Sequence, residues 1–166
     1  MNDSDAAAIA GERAMLRHAL ATLAYRAAKA IRGAPAGFGD TRASDHTRSA
    51  GEIISHIADL LEWSAALATG RSAYNEHPAA SWHEDVDRFF KNIVELDSIL
   101  RSASGAPVEP RRIFQGPIAD ALTHVGQLNV LWRIAGAPIR GENYWLADIE
   151  IGRVGVEQSP PNREFD

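Results

Sequence analysis

Residues 49–63 read SAGEIISHIADLLEW, and this stretch has the pattern of an amphipathic helix. Ser49 followed by Glu52 is a capping box, which predicts that the helix begins at this point. Gly70 supplies a left-handed stop at the other end. Apolar residues recur at steps of three and four along one face, and His56 lies on that same face. The stretch therefore predicts a long helix that carries one imidazole on its buried side.

Three further stretches show helical periodicity, and glycine- and proline-containing segments separate them. The first covers about residues 5–32, and the third follows a second capping box and covers 81–104. The fourth begins after Gly116, with Pro117 in a first-turn position, and ends near Gly136. Four amphipathic helices in a chain of 166 residues predict an all-α fold, a four-helix bundle.

The end of the chain lacks this periodicity. We expect residues 1–140 to form the bundle and residues 141–166 to form an irregular C-terminal tail that packs on it. Alternation of polar and apolar residues over 147–151 indicates a short extended segment. Long connections around residues 33–48, 70–80 and 104–116 are expected to shape a pocket.

Composition excludes several classes of function. The chain has no cysteine, so any metal must be held by histidine and carboxylate groups. Its formal net charge of −5 argues against a nucleic-acid partner. No apolar run reaches the roughly 20 residues of a membrane span, and the acidic start lacks the pattern of a secretory signal. We expect a cytoplasmic protein with no membrane partner.

A second polar group lies on the apolar stripe of the fourth predicted helix. Asp120 and His124 are spaced i,i+4, so their side chains lie on one helix face and can bind one ion together. His56 would complete the set from a facing helix. Burying two imidazoles and a carboxylate is costly unless they are paired or bind a cation. Three protein ligands leave a coordination position open for water or substrate, as in catalytic sites, and Gln127 lies one turn beyond His124.

Simpler interpretations of these residues remain open. A single histidine on an apolar face is often hydrogen-bonded to a backbone carbonyl or an acid. Asp120 would also be favoured near the positive end of a helix. A third possibility is that His56, Asp120 and His124 form a neutral hydrogen-bonded network without any metal.

Residues 49–63 resemble the second helix of the DinB-like metalloenzymes, and the run His124-Val125-Gly126-Gln127 is similar to the His-x-Gly-Gln end of that family's fourth-helix motif. The resemblance extends over about residues 10–140. It implies an up-down-down-up bundle, often a homodimer, with a divalent ion such as zinc or nickel held by three residues. By motif position, His56 matches the first ligand and His124 the last.

The chain departs from this family pattern at one ligand. The middle ligand is usually histidine, whereas Asp120 occupies its place here. Within the superfamily, the mycothiol-dependent maleylpyruvate isomerases use a Glu-x-x-x-His version, so a carboxylate is compatible with metal. The aspartate side chain is shorter by one methylene, which makes Asp120 the ligand that decides whether metal binds.

The resemblance also implies a reaction class. It predicts a metal-dependent enzyme, either a thiol-dependent S-transferase or a hydrolase of a small-molecule substrate. Because the chain has no cysteine, the sulfur would come from a low-molecular-weight thiol cofactor. Asp59, one turn past His56, and Gln127 are the candidate catalytic side chains, although Asp59 also fits a solvated helix flank. The competing hypothesis is a non-catalytic dimeric module, a small-molecule binder or stress-related protein whose metal site is weakened or empty.

Overall fold

The structure is a computed structural model that describes residues 3–102 and 109–166. Its helices confirm the predicted all-α bundle. The predicted end of the third helix, at residue 104, lies outside the described residues. Three long helices are followed by a fourth made of three segments: α1 (Asp3–Ile31), α2 (Ala50–Ala68), α3 (Trp82–Ser102), α4 (Pro110–Ile113), a π-helical turn (Phe114–Ile118) and α5 (Ala119–Ile134). A short 3-10 helix, Phe38–Asp40, interrupts the connection between α1 and α2.

The first and fourth helices run in the same direction. Near their starts, Nη2 of Arg111 lies 2.6 Å from Oε1 of Glu12. Near their ends, the indole Nε1 of Trp132 donates to the carbonyl of Ala30 at 2.6 Å. Because start contacts start and end contacts end, the first and fourth helices are parallel.

The second and third helices form the other parallel pair. Arg88 donates to the carbonyl of Ser55 at 2.9 Å, and further along Asn92 donates to the carbonyl of Ala58 at 2.9 Å. Helix α5 runs opposite to α2. His56, in the middle of α2, contacts Asp120 at the start of α5, whereas Ile53, nearer the start of α2, lines a cavity together with Leu131 near the end of α5. The helices are therefore arranged up-down-down-up, and residues 69–81 carry the chain back along the bundle.

Local signals position α2 as the sequence predicts. The backbone N–H of Ser49 donates to the Glu52 carboxylate at 2.6 Å, and the Glu52 N–H donates to the Ser49 hydroxyl at 3.2 Å. These bonds satisfy donors that a helix start leaves without partners. Gly70 takes a positive φ of 77° and ends the helix. The predicted boundaries of α2 are thus confirmed.

The predicted start of the fourth helix is wrong. The helix begins at Pro110, which takes the first-turn position, and Pro117 lies inside it. Proline has no N–H to donate within an α-helix, and its ring crowds the preceding turn. The π-helical turn at Phe114–Ile118 absorbs this change in hydrogen bonding and lets the helix continue into α5.

The C-terminal tail is attached to α1. Strands β1 (Gly141–Glu142) and β2 (Glu164–Phe165) form one antiparallel ladder, and a 3-10 helix at Tyr144–Leu146 follows β1. The fully buried Glu142 side chain accepts hydrogen bonds from Tyr25 at 2.6 Å and Lys29 at 2.8 Å. Residues 147–151, predicted to be extended, form no strand. The two strands of the sheet pair with each other.

The core fills the space between the four helices with leucine, isoleucine and alanine side chains. Among the residues that the structure describes, no helix combines the length and the apolar content needed to cross a membrane.

Candidate metal centre

The structure brings together all three predicted ligands. His56 comes from the middle of α2, and Asp120 and His124 come from the first two turns of α5. Nε2 of His56 lies 3.4 Å from Oδ2 of Asp120, and Nε2 of His124 lies 3.5 Å from Oδ1. The two imidazole rings are almost perpendicular, with centroids 4.7 Å apart. The histidine side chains are largely buried, whereas the Asp120 side chain is 48% exposed.

These spacings agree with a shared cation and with long hydrogen bonds to the two Asp120 oxygens. Strong N–H···O hydrogen bonds have donor–acceptor distances of about 2.7–3.2 Å, shorter than both contacts. Ligand atoms about 2.0–2.2 Å from a tetrahedral zinc ion lie roughly 3.3–3.5 Å from one another. One atom from each of the three side chains lies within 4.8 Å of the others. The three side chains are therefore close enough to share one divalent ion.

The far edges of both imidazole rings also have polar neighbours. Nδ1 of His124 lies 3.0 Å from Oε1 of Gln127, so Nδ1 carries the hydrogen and donates it. The hydroxyl of Tyr74, on the connection after α2, lies 3.4 Å from Nδ1 of His56. An outer partner such as Gln127 orients a metal-binding histidine and selects the tautomer that presents a lone pair at Nε2. Gln127 therefore lies behind a proposed ligand and supports it.

Electrostatics favour the neutral form of His56. Burial lowers the pKa of this imidazole, and the nearby Arg48 guanidinium and His124 lower it further, against the opposing effect of Asp120. Only the neutral ring has a lone pair for a metal ion. His56 is thus held in its binding-competent form at neutral pH.

Two cavities open beside the triad, and Arg48 lines both. One, about 210 Å³, is lined by His56, Asp59 and His77. The other, about 410 Å³, is lined by His124 and Gln127. The larger one is in the size range of small-molecule sites, and the predicted connections that precede α2 and follow it supply part of the cavity walls.

Asp59 lies deeper than a solvated helix flank. Its side chain is 1% exposed, and Arg88 of α3 forms an ion pair with it. His77 contacts it twice, through the backbone N–H at 3.1 Å and through Nδ1 at 2.8 Å. Asp59, Glu62 and His77 also place ligand atoms within 4.8 Å of one another. The Arg88 guanidinium already neutralises this group, so we assign no metal to it.

Sequence reasoning missed Tyr74, His77 and Arg88. Tyr74 and His77 lie in an irregular connection with no periodic pattern to mark them. Arg88 had a detectable signal, because Asp85, Arg88 and Asn92 repeat at steps of three and four along α3. That polar line faces α2 inside the bundle, where Asp85 and Asn92 are buried. Hydrogen bonds to Asp59 and Asp85 raise the pKa of Arg88 although burial alone would lower it.

Comparison with known proteins found no matching family model, no matching curated protein and no matching solved structure. A functional assignment therefore rests on the geometry of the chain's own residues.

Proposed function

We propose that this chain is a metal-dependent enzyme of the DinB-like class, which binds one divalent ion through His56, Asp120 and His124. Zinc or nickel suits a donor set of two imidazoles and one carboxylate. The reaction we propose is a thiol-dependent S-transfer or the hydrolysis of a small molecule. A bound ion would act as a Lewis acid that favours the deprotonated form of a thiol or water.

The observation that carries this proposal is the convergence of the three ligand atoms. Both histidines direct Nε2 toward the same carboxylate, at 3.4 and 3.5 Å, while Gln127 and Tyr74 contact the opposite ring nitrogens. Three ligands leave at least one coordination position for an exogenous group. The adjoining cavities provide room for that group.

Metal content tests the proposal. The protein is purified without a histidine tag, and its bound metals are measured by elemental analysis. We expect about one divalent ion per chain, as three-ligand sites hold. His124→Ala should abolish it, whereas His83→Ala, at an exposed position in the first turn of α3, should retain it.

A second candidate function is the non-catalytic small-molecule-binding module. The exposure of Asp120 favours it, because a half-exposed aspartate in the middle position is a weaker anchor than a buried histidine. Under this alternative, the native protein contains no metal and a chelator leaves its thermal unfolding unchanged. Either result would overturn the metalloenzyme proposal.

A further inference from the structure

A histidine–carboxylate pair, His77 and Asp59, lines the same cavity as the proposed metal ligand His56. We propose that His77 accepts the proton of the thiol or water that binds at the triad, and that Asp59 is its positioning residue. This inference rests on the proposed function, since it assigns a proton acceptor to the same site.

The hydrogen-bond pattern determines which nitrogen of His77 is free. Nδ1 lies 2.8 Å from Oδ1 of Asp59 and 3.4 Å from Nη1 of Arg88. The shorter contact requires Nδ1 to carry the hydrogen and donate it, because the Asp59 carboxylate has only acceptors to offer. Arg88 directs the same Nη1 group to that carboxylate. Nε2, on the opposite edge of the ring, then holds a lone pair that can accept a proton.

Asp59 is held rigidly enough to position this ring. Its carboxylate is buried and accepts hydrogen bonds from the backbone and the ring of His77. Arg88 forms an ion pair with the same oxygen that contacts Nδ1 of His77, and its guanidinium also donates to the Ser55 hydroxyl at 2.7 Å. A carboxylate so placed stabilises the imidazolium that forms when Nε2 accepts a proton.

His77 and the proposed ligand His56 line the same cavity. The His77 side chain is 44% exposed, and the shared cavity has a volume of about 210 Å³. The connection that carries His77 also carries Tyr74, whose hydroxyl contacts His56. The other charged groups around this cavity are Arg48, Glu52 and Glu76. A ligand at the triad can therefore extend into a space that contains a proton acceptor.

The proposed step conserves atoms and charge. The S–H bond of a thiol, or one O–H bond of water, breaks and its electron pair stays on sulfur or oxygen. The proton forms an N–H bond at Nε2 of His77. The positive charge gained there lies beside Asp59, and no oxidant or reductant takes part.

Calorimetry of thiol binding tests this assignment. The zinc-loaded full chain is titrated with 2-mercaptoethanol near neutral pH, in two buffers that differ in ionisation enthalpy. The heat of binding differs between the two buffers in proportion to the number of protons that the buffer takes up. We expect His77→Gln to release about one proton more per bound thiol than the wild type, because the acceptor is gone. His83→Gln should match the wild type.

A purely structural role for His77 would not change this count. Zinc affinity should stay unchanged in His77→Gln, which separates the residue from the metal ligands. Nitrogen NMR of the zinc-loaded wild type offers a readout that needs no variant: Nε2 of His77 should become protonated when the thiol binds.

Several results would overturn the inference. They are an equal proton count in His77→Gln and wild type, an unprotonated Nε2 in the thiol complex, or no thiol binding to zinc-loaded protein. Each of these results is compatible with zinc binding at His56, Asp120 and His124. Failure of zinc to bind at all would instead refute the proposed function, and the inference with it.

Discussion

Nδ1 of His124 donates a hydrogen bond to Oε1 of Gln127 at 3.0 Å, across less than one turn of α5. This bond fixes the imidazole ring and turns Nε2 toward Asp120, 3.5 Å away. His56 meets the same carboxylate from α2. A single helix thus supplies two proposed ligands and the residue that orients one of them.

Replacing Gln127 tests that orienting role. Gln127→Ala should weaken zinc binding by roughly 10–100-fold, the usual effect of losing an outer partner of a metal-binding histidine. Gln115→Ala, at an exposed position in the π-helical turn, should leave the affinity unchanged. Calorimetric titration of the metal-free protein measures both. Equal affinities in the two variants would contradict the assignment.

Tyr74→Phe removes the hydroxyl that contacts His56. Its contact at 3.4 Å is longer than the bond made by Gln127, so we expect a smaller loss of zinc affinity. The same titration gives the ranking of the two variants. A loss larger than that of Gln127→Ala would show that His56 depends on Tyr74 more than the geometry indicates.

Asp120→Asn separates metal binding from stability. We expect zinc affinity to fall more than about tenfold, because the only negatively charged ligand is lost. The metal-free variant should unfold within about 0.5 kcal/mol of the wild type, since Asp120 is half exposed and its contacts to the histidines are long. Asp87→Asn, at an exposed position on α3, is the control for both quantities. Chemical denaturation and calorimetry measure them.

The attachment of the tail predicts a dependence of stability on alkaline pH. Hydrogen bonds to Glu142 and Glu164 raise the pKa of Lys29, although burial alone would lower it. The pKa of Tyr25 is raised by burial and by its hydrogen bond to Glu142. A raised pKa means that the stabilisation is complete below the unfolded-state value near 10 and is lost as the pH rises through the folded-state value.

Lys29→Met should therefore lower the free energy of unfolding by about 3 kcal/mol at neutral pH, because Glu142 loses its charged partner inside the protein. The difference from the wild type should shrink above about pH 10. Lys91→Met replaces the other, exposed lysine and serves as the control. Urea unfolding at several pH values measures the effect, and a difference that persists unchanged at high pH would contradict it.

The capping box predicts that stability falls as the pH is lowered into the acid range. The hydrogen bond from the Ser49 N–H lowers the pKa of Glu52 despite the small effect of burial, and Arg42 lowers it further. The contribution of the Glu52 carboxylate to stability is therefore complete above its unfolded-state pKa near 4.3. That contribution is lost as the pH falls through the folded-state pKa. Glu52→Ala should lower stability by about 0.5 kcal/mol at neutral pH, since its side chain is 45% exposed, and the loss should disappear in acid. Glu95→Ala, at an exposed position of α3, should show no such change with pH.

Local signals made α2 and the meeting of His56, Asp120 and His124 predictable. The capping box, the glycine stop and the i,i+4 spacing of Asp120 and His124 all depend on residues close together in the chain. His56 could be added because an imidazole on an apolar stripe requires a partner.

Features built from distant segments were not predictable in the same way. Pro117 has the sequence signature of a helix start, but the helix begins at Pro110, where α4 contacts α1 through Arg111 and Glu12. The pair of Asp59 and His77 with Arg88 joins α2, an irregular connection and α3, so no single periodic pattern contains it. The strands of the tail pair residues more than 20 positions apart.

Anomalous X-ray scattering from a crystal of the untagged protein tests the central claim most directly. Data collected on both sides of the zinc and nickel absorption edges identify the ion and locate its ligands together. We predict one anomalous peak per chain, bonded to Nε2 of His56, an Asp120 oxygen and Nε2 of His124. A triad with no anomalous peak in protein supplied with both metals, or a peak bound elsewhere, would contradict the account.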